Sequence, residues 1–292
     1  MDKQLKHWED VRDLFRNWRE ENCRQSEEVV DLWQAILSNH INRLGDEGWL
    51  VLEQVFIAGL DCHNMEVANF CLSKLNQEFP DSLRVKRLKA MKYEAMERYD
   101  DALDILDSII KKDETNAAPR KRKIAIYKSQ GLIIEAIKEL TDYLKVFMAD
   151  QESWMELSDL YISQQEWNKA SFCVEELILH SPFNHLYLQR YAEIKYTQGG
   201  YENLELARSY YAQAAKLNPN NVRALYGLIL TSLHMASNPK CPSQKKKESI
   251  KLGEWASTQM TQLQAPSDSK LFSSQILEGL LGNLQISNES KN

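Results

Sequence analysis

The stretch EAMERYDDALDIL, Glu94–Leu106, places two carboxylates, Asp100 and Asp101, directly before Ala102. Adjacent carboxylates suit an acid–base or metal site, but they equally suit the first turn of a helix, where they meet the positive end of the helix dipole. Ala102 helps to decide between these interpretations, because an alanine recurs along the chain at nearly constant spacing. The recurring alanines are Ala68, Ala102, Ala136, Ala170 and Ala207, at intervals of 34, 34, 34 and 37 residues.

A period of about 34 residues is typical of stacked helix hairpins of the tetratricopeptide repeat (TPR) type. One unit contains Trp154, Leu157, Tyr161 and Pro182 at the spacing of that repeat. Small residues let the two helices of a hairpin approach closely, and proline ends the second helix. We therefore predict an all-α TPR α-solenoid, a right-handed superhelix of helix hairpins with N- and C-terminal helical caps. In this phase the acidic pair begins a helix and is not catalytic.

The repeat phase also predicts the domain organisation. We expect N-terminal capping helices over residues 1–45, an array of about five repeats over residues 46–221, a C-terminal helical hairpin over residues 222–264 and a mostly flexible tail over residues 265–292. A three-residue insertion falls within Gly199–Ala207 of the fifth repeat. Ser26 is the predicted N-cap of the second capping segment, and Ser269–Gln285 is a candidate short helix within the tail.

Composition and charge argue against several classes of function. Only 10 glycines and 7 prolines interrupt the 292 residues, which favours helices over a β protein with many turns. The net charge of −6 argues against bulk nucleic-acid binding, which requires a basic footprint. No stretch reaches the ~18 apolar residues needed to span a bilayer, and the N-terminus has no signal-peptide core. We therefore expect a cytosolic or nuclear protein that reaches a membrane only through partners.

The familiar signatures of catalysis are missing from the sequence. We find no glycine-rich nucleotide motif, no zinc-protease motif and no nucleophile elbow. The five cysteines include no C-x-x-C pair and are expected to be buried thiols. His180 and His185 flank Pro182, which favours turn histidines over metal ligands. We predict that the protein is not an enzyme and has no cofactor, no metal and no small-molecule substrate.

Charged side chains at equivalent positions of successive first helices predict a partner-binding groove. The early positions are mostly basic and the late ones include two carboxylates, so the groove suits a partner of opposite polarity. A solvated helix face is the alternative interpretation of the run Arg120–Lys123. The candidate partner-binding residues are Arg84, Arg87, Met91, Lys121, Arg122, Lys123, Lys128, Met155, Asp159, Gln189 and Glu193.

Several stretches outside the generic repeat positions carry a more specific resemblance. The chain resembles the subunit 2 family of the endoplasmic reticulum membrane protein complex, a TPR family. The stretches that carry the resemblance are WREEN (Trp18–Asn22), VKRL (Val85–Leu88), EAMERYDDA (Glu94–Ala102), RKRKIAI (Arg120–Ile126), NHLYLQRYAEIKYTQGG (Asn184–Gly200), ENLELAR (Glu202–Arg208) and ASNPK (Ala236–Lys240).

The resemblance implies a non-catalytic scaffold at the cytoplasmic side of the endoplasmic reticulum membrane, peripheral when assembled and cytosolic before assembly. The family's complex inserts transmembrane segments, including tail anchors. The implied partners are subunit 8 or 9 and cytosolic parts of subunits 3 and 5. The alternative is a TPR co-chaperone or adaptor that binds chaperone tails. That class uses an asparagine at the ninth position of the first helix, where this chain has Ile57, Met91, Ala125, Asp159 and Glu193.

Overall fold

The computed structural model describes residues 7–264, and within that range every regular element is helical. Fourteen α-helices and one 3₁₀ helix follow one another along these residues. None of the helices in this range is both long enough and apolar enough to cross a bilayer. The all-α prediction is therefore confirmed. The tail and candidate helix predicted beyond residue 264 lie outside the described residues.

The first compact unit extends to Glu139 and contains the capping helices and the early hairpins. Its elements are α1 Trp8–Glu20, α2 Ser26–Ala35, a 3₁₀ helix Leu37–Arg43, α3 Glu47–Asp61, α4 Met65–Glu78, α5 Leu83–Ala95, α6 Tyr99–Lys112, α7 Ala117–Ser129 and the start of α8 Ile133–Val146. Val11, Phe15 and Trp33 of the caps share one buried core with Val55 and Phe56 of α3. The capping helices thus cover the first hairpin, α3–α4.

The predicted cap of α2 is wrong. Gln25 precedes the helix and makes no side-chain capping bond, while Ser26 is its first residue. The Ser26 hydroxyl instead donates to Asp61 Oδ2 at 2.6 Å, beside the Arg24–Asp61 ion pair. A tertiary contact to the end of α3 has therefore taken the hydroxyl that a local cap would use.

The second compact unit begins at Leu140, within α8. Its further helices are α9 Gln151–Ser163, α10 Trp167–His180, α11 His185–Gln198, α12 Tyr201–Leu217, α13 Val222–Ser237 and α14 Ser243–Gln264. They pair as the hairpins α9–α10, α11–α12 and α13–α14. We call the first helix of each hairpin, α3 to α13 in odd numbers, an A helix, and the second a B helix.

The recurring alanines explain how the helices approach. Ala68, Ala102, Ala136 and Ala170 are each the fourth residue of their B helix, and each is fully buried. In α12 the corresponding Ala207 is the seventh residue, because that helix has 17 residues where the other B helices of the array have 14. The predicted insertion is thus one added turn at the start of α12.

The turns within the hairpins repeat as regularly as the alanines. His63, Glu97, Gly131 and Gln165 stand 34 residues apart and all have positive φ, between 56° and 74°. A left-handed residue ends an α-helix and reverses the chain, and glycine adopts it at least cost. In the stretch that opened the sequence analysis, Glu97 makes this turn and Asp100 and Asp101 lie in the first turn of α6. Their predicted role at a helix start is confirmed.

Candidate partner-binding surface

The first basic candidates lie on α5 and pair with a carboxylate on the preceding A helix. Arg84 Nη2 lies 2.6 Å from Glu53 Oε2, and Arg87 Nη2 lies 3.9 Å from Glu53 Oε1. The Arg84 side chain is exposed, whereas Glu53 is largely buried. The arginine is therefore the group that a partner would meet. Met91, on the same helix, is half-buried and packs against the first core.

Arg122 forms a second pair of this kind, between α7 and α5. Its Nη1 lies 2.6 Å from Glu94 Oε2. Burial raises the pKa of Glu94, and the nearby Arg122 guanidinium offsets only part of that rise. Glu94 Oε1 is buried without a hydrogen-bond partner. Arg122 is thus tied to a carboxylate that has little water around it.

Lys123 faces a different side of α7 from Arg122. Its ammonium lies 3.0 Å from Asp107 on α6 and 3.1 Å from Glu139 on α8, both B helices. Burial lowers the pKa of Lys123, but the two carboxylates raise it by more. The pKa of Lys123 is therefore above its ordinary value. Among the basic candidates, Lys123 therefore belongs to the interior packing of the hairpins.

The α5 and α7 helices remain strongly basic after these pairs are formed. Each carries five Lys or Arg residues, against one carboxylate on α5 and none on α7. Lys121 is half-buried and Lys128 exposed on α7. The predicted basic region therefore lies on α5 and α7.

The late candidates lie in the second unit, where α9 carries three carboxylates and no Lys or Arg. Asp159 on α9 is exposed and pairs with Arg190 on α11. Glu193 on α11 lies 3.3 Å from both Arg190 and Arg223, the latter on α13. Gln189 is buried and donates to Glu193 at 2.8 Å, which leaves it little surface for a partner. Met155 is half-buried on α9.

Sequence reasoning missed the partners of these charges. Within the described residues, carboxylate–arginine pairs join one A helix to the next, and we call four of them, each at 3.3 Å or less, the interhelix arginine pairs. They are Glu53–Arg84 and Glu94–Arg122 in the first unit, and Asp159–Arg190 and Glu193–Arg223 in the second. Their members stand 28 to 31 residues apart. A search for opposite charges slightly less than one repeat apart would have found them.

A second candidate surface lies on the second unit, where an apolar cavity of about 440 Å³ opens between α8, α9 and α10. Trp154 forms one wall, with Nε1 donating to the Met148 carbonyl oxygen at 2.8 Å and its ring meeting Phe172 edge to face at 6.2 Å. Met148 and Phe172 are both exposed. The sequence marks Trp154 as a repeat position, so its part in a cavity wall was not predicted.

The histidines and cysteines show ordinary environments. His185 Nδ1 lies 2.9 Å from Asn221 Nδ2, and its Nε2 lies 3.1 Å from Asn218 Nδ2. No group of His, Cys, Asp or Glu in residues 7–264 has the arrangement of a metal site. Burial raises the pKa of the Cys71 and Cys173 thiols to about 12. Cys71 and Cys173 therefore stay protonated thiols in the folded protein.

The repeated helix hairpins define a TPR protein, and a solved TPR structure has the same fold. The C-terminal part of a TPR repeat-containing protein from Cytophaga hutchinsonii superposes with a TM-score of 0.59, covering 89% of this chain and 96% of that one at 12% identity. At that identity the likeness concerns the fold alone. The α-solenoid class predicted from the repeat is confirmed.

Sequence comparison identifies the family. The model described as the EMC2 TPR-like repeat domain matches residues 68–203. ER membrane protein complex subunit 2 of Xenopus tropicalis is 54% identical over 253 residues, covering 87% of this chain and 85% of that protein. The protein of that name from Dictyostelium discoideum is 34% identical, covering 86% and 81%. The chain belongs to the family of ER membrane protein complex subunit 2, as the sequence resemblance predicted.

Proposed function

We propose that this protein is a non-catalytic scaffold subunit of the endoplasmic reticulum membrane protein complex, bound to the cytoplasmic side of the membrane through other subunits. The observation that carries the proposal is the 54% identity to a protein named as subunit 2 of that complex, over 87% of this chain. The repeated hairpins support it, because stacked repeats expose an extended surface for partners. In this role the protein supports insertion of transmembrane and tail-anchored proteins.

The partner surfaces that we propose lie on the A helices of each unit. In the first unit, α5 and α7 present Arg84, Arg87, Lys121 and Lys128, which would receive acidic parts of a partner. In the second unit, α9 presents Asp159. Lys123 and Gln189 are not part of these surfaces, because both are engaged inside the packing. The partners that the resemblance implies are subunit 8 or 9 and cytosolic parts of subunits 3 and 5.

The interhelix arginine pairs allow a test that keeps an ion pair at the exchanged positions. Exchanging the two charges, as Glu53→Arg with Arg84→Glu, reverses the pair and replaces an exposed cation with an exposed anion. The exchange Asp159→Arg with Arg190→Glu is its counterpart in the second unit. Each exchange also places one like charge nearby, because Glu53 faces Arg87 and Arg190 faces Glu193. We expect each exchange to shift the melting temperature by at most a few degrees, since partly exposed pairs contribute about 0–1 kcal/mol.

The experiment is affinity purification of the tagged protein from detergent-solubilised membranes, followed by mass spectrometry. Wild type should recover the other subunits of the complex, and the α5 exchange should lose at least one of them. Recovery of no such subunit by wild type would overturn the scaffold proposal. Full recovery by both exchanged variants would overturn only the surface. Cells that rely on a variant unable to assemble should insert less of a tail-anchored reporter.

A further inference from the structure

The apolar cavity between α8, α9 and α10 keeps large side chains in contact with water. Met148 is 66% exposed and Phe172 is 52% exposed, and both line the cavity. Leu144 and Leu157 line it as well and are buried. Pockets that take a ligand are lined mostly by apolar and aromatic side chains, and exposed apolar patches mark interaction sites. The cavity has both features.

Phe172 is an apolar residue at a position of the repeat that faces water. The residue two positions after the recurring alanine is exposed in every B helix of the array, as Phe70, Asp104, Lys138, Phe172 and Ser209. Phe70 packs against the Trp33 ring of a capping helix at 6.4 Å, an element outside its own hairpin. Phe172 meets the ring of Trp154, which belongs to the same hairpin, and half of its surface stays exposed. That surface is available to an element from another protein.

The charged side chains at the cavity are both cationic. Among the described residues that line it, Lys145 and Lys169 are exposed, and no carboxylate is present. Each ammonium pairs with a carboxylate one turn earlier on its own helix, Asp142 at 2.6 Å and Glu166 at 3.5 Å. Exposed pairs of this kind are weak and exchange readily. A carboxylate that arrives with an occupant would therefore meet two ammonium groups.

The walls and the charges together define the occupant. The cavity holds about 440 Å³, within the range of roughly 300–1,000 Å³ that takes an organic ligand, so a large side chain fits it. Aromatic rings pack favourably against one another, and a methionine adapts to the shape of its neighbour. An anionic membrane presents a broad charged surface, which would face Asp142 and Glu166 as well as the lysines. A protein segment avoids this repulsion, because it can place single carboxylates at Lys145 and Lys169.

We propose that this cavity binds an acidic segment of a partner protein, which inserts a Trp, Phe or Leu side chain and places carboxylates beside it at Lys145 and Lys169. The inserted side chain contacts Trp154, Phe172 and Met148. The site does not involve α5 or α7, so it stands independently of the basic surface proposed above.

Selection from a phage library of random peptides on the full-length protein tests this chemistry without a known partner. Peptides that bind wild type but not Phe172→Asp should carry a Trp, Phe or Leu with Asp or Glu within about three positions. Phe183→Asp is the matched control, because Phe183 is 83% exposed and does not line the cavity, so this variant should retain the same peptides. Met148→Asp should lose them as Phe172→Asp does. Circular dichroism should show wild-type helicity in all three variants, since each replaces an exposed side chain.

Fluorescence anisotropy of the most enriched peptide then tests the role of the two lysines. Lys145→Gln with Lys169→Gln should weaken binding about threefold to tenfold and reduce its dependence on salt. Lys247→Gln with Lys251→Gln removes the same charge from exposed residues of α14, which do not line the cavity, and should leave the affinity unchanged.

Several results would overturn the proposal. One is a selection in which no peptide distinguishes wild type from both Phe172→Asp and Met148→Asp, and another is enrichment of peptides rich in Lys and Arg. Binding of wild type, but not of Phe172→Asp, to vesicles of phosphatidylcholine and phosphatidylserine would assign the cavity to a membrane instead. A dimer seen by light scattering that Phe172→Asp abolishes would assign it to a second copy of the chain.

Discussion

Replacing Gly227 with alanine should destabilise the last hairpin, because the glycine makes room for a buried ring. Gly227 lies in α13, and a Cβ built there would stand 2.4 Å from both Cε1 and Cζ of Tyr211, and 2.8 Å from Cε2. Carbon atoms pack at about 3.5–4.0 Å, so the ring or the helix must move by roughly 1 Å. Tyr211 is buried in the core of α12 and α13 and has no open side to move into.

Two effects of opposite sign set the expected size of the change. Alanine is favoured over glycine inside a helix by about 1 kcal/mol. Overpacking a filled core costs about 1–3 kcal/mol, and a rigid buried ring places this site at the upper end. The net loss should be about 1–2 kcal/mol in the free energy of unfolding. For a protein of this size that corresponds to a fall of roughly 2–3 °C in Tm.

Urea unfolding followed by circular dichroism at 222 nm measures the loss, and the same hairpin supplies the control. Gly253→Ala in α14 meets Ser232 Cβ at an ordinary 3.4 Å and should gain about 0.5–1 kcal/mol. Combining Gly227→Ala with Tyr211→Leu should cost clearly less than the sum of the two single changes. Strict additivity, or a Gly227→Ala protein as stable as wild type, would refute the steric explanation.

Three further predictions follow from local features. Gly131→Ala should lower the free energy of unfolding by about 1 kcal/mol in urea unfolding. The residue has φ of +74°, which alanine adopts at a cost, whereas an added Cβ would meet no other atom within 4 Å. Hydrogen bonding from Arg16 lowers the pKa of Glu47 below its ordinary 4.5. The ionised carboxylate therefore stabilises the folded protein above pH 4.5, and this stabilisation is lost as the pH falls through the folded pKa. In urea unfolding, Glu47→Gln should lose less free energy of unfolding than wild type between roughly pH 5 and pH 3. A thiol reagent should modify exposed Cys23 in the native protein, but Cys71 and Cys173 only after unfolding, since burial raises their pKa to about 12.

The sequence was sufficient to predict the hairpins because their determinants lie close together along the chain. A buried alanine such as Ala102 and a left-handed turn residue such as Glu97 each make their contacts within one hairpin. Their 34-residue period can therefore be read from the amino-acid sequence alone. Even the insertion before Ala207 appeared as a changed interval. Ser26 failed as a predicted cap because its partner, Asp61, lies 35 residues away on another helix.

The candidate surface was harder to predict, because the type of a charged residue does not reveal what already neutralises it. Lys121, Arg122 and Lys123 are adjacent in sequence, yet Arg122 reaches an A helix and Lys123 two B helices. Only the helix positions show which carboxylates Arg122 and Lys123 already contact. The same limit applies to Gln189, which a repeat alignment places on the surface and the packing buries.

The interhelix arginine pairs also bear on the choice between a scaffold and a chaperone-tail adaptor. A carboxylate clamp needs donors at the ninth position of the A helices, but Asp159 and Glu193 stand there and hold Arg190 and Arg223. A free C-terminal carboxylate at α9 would face like charge and would have to displace a guanidinium from its partner. A folded partner avoids this conflict, because it can place acidic groups against the basic helices α5 and α7 and basic groups against the carboxylates of α9 and α11. Such contacts contribute more to specificity than to affinity, which suits a subunit that must select its place among several others.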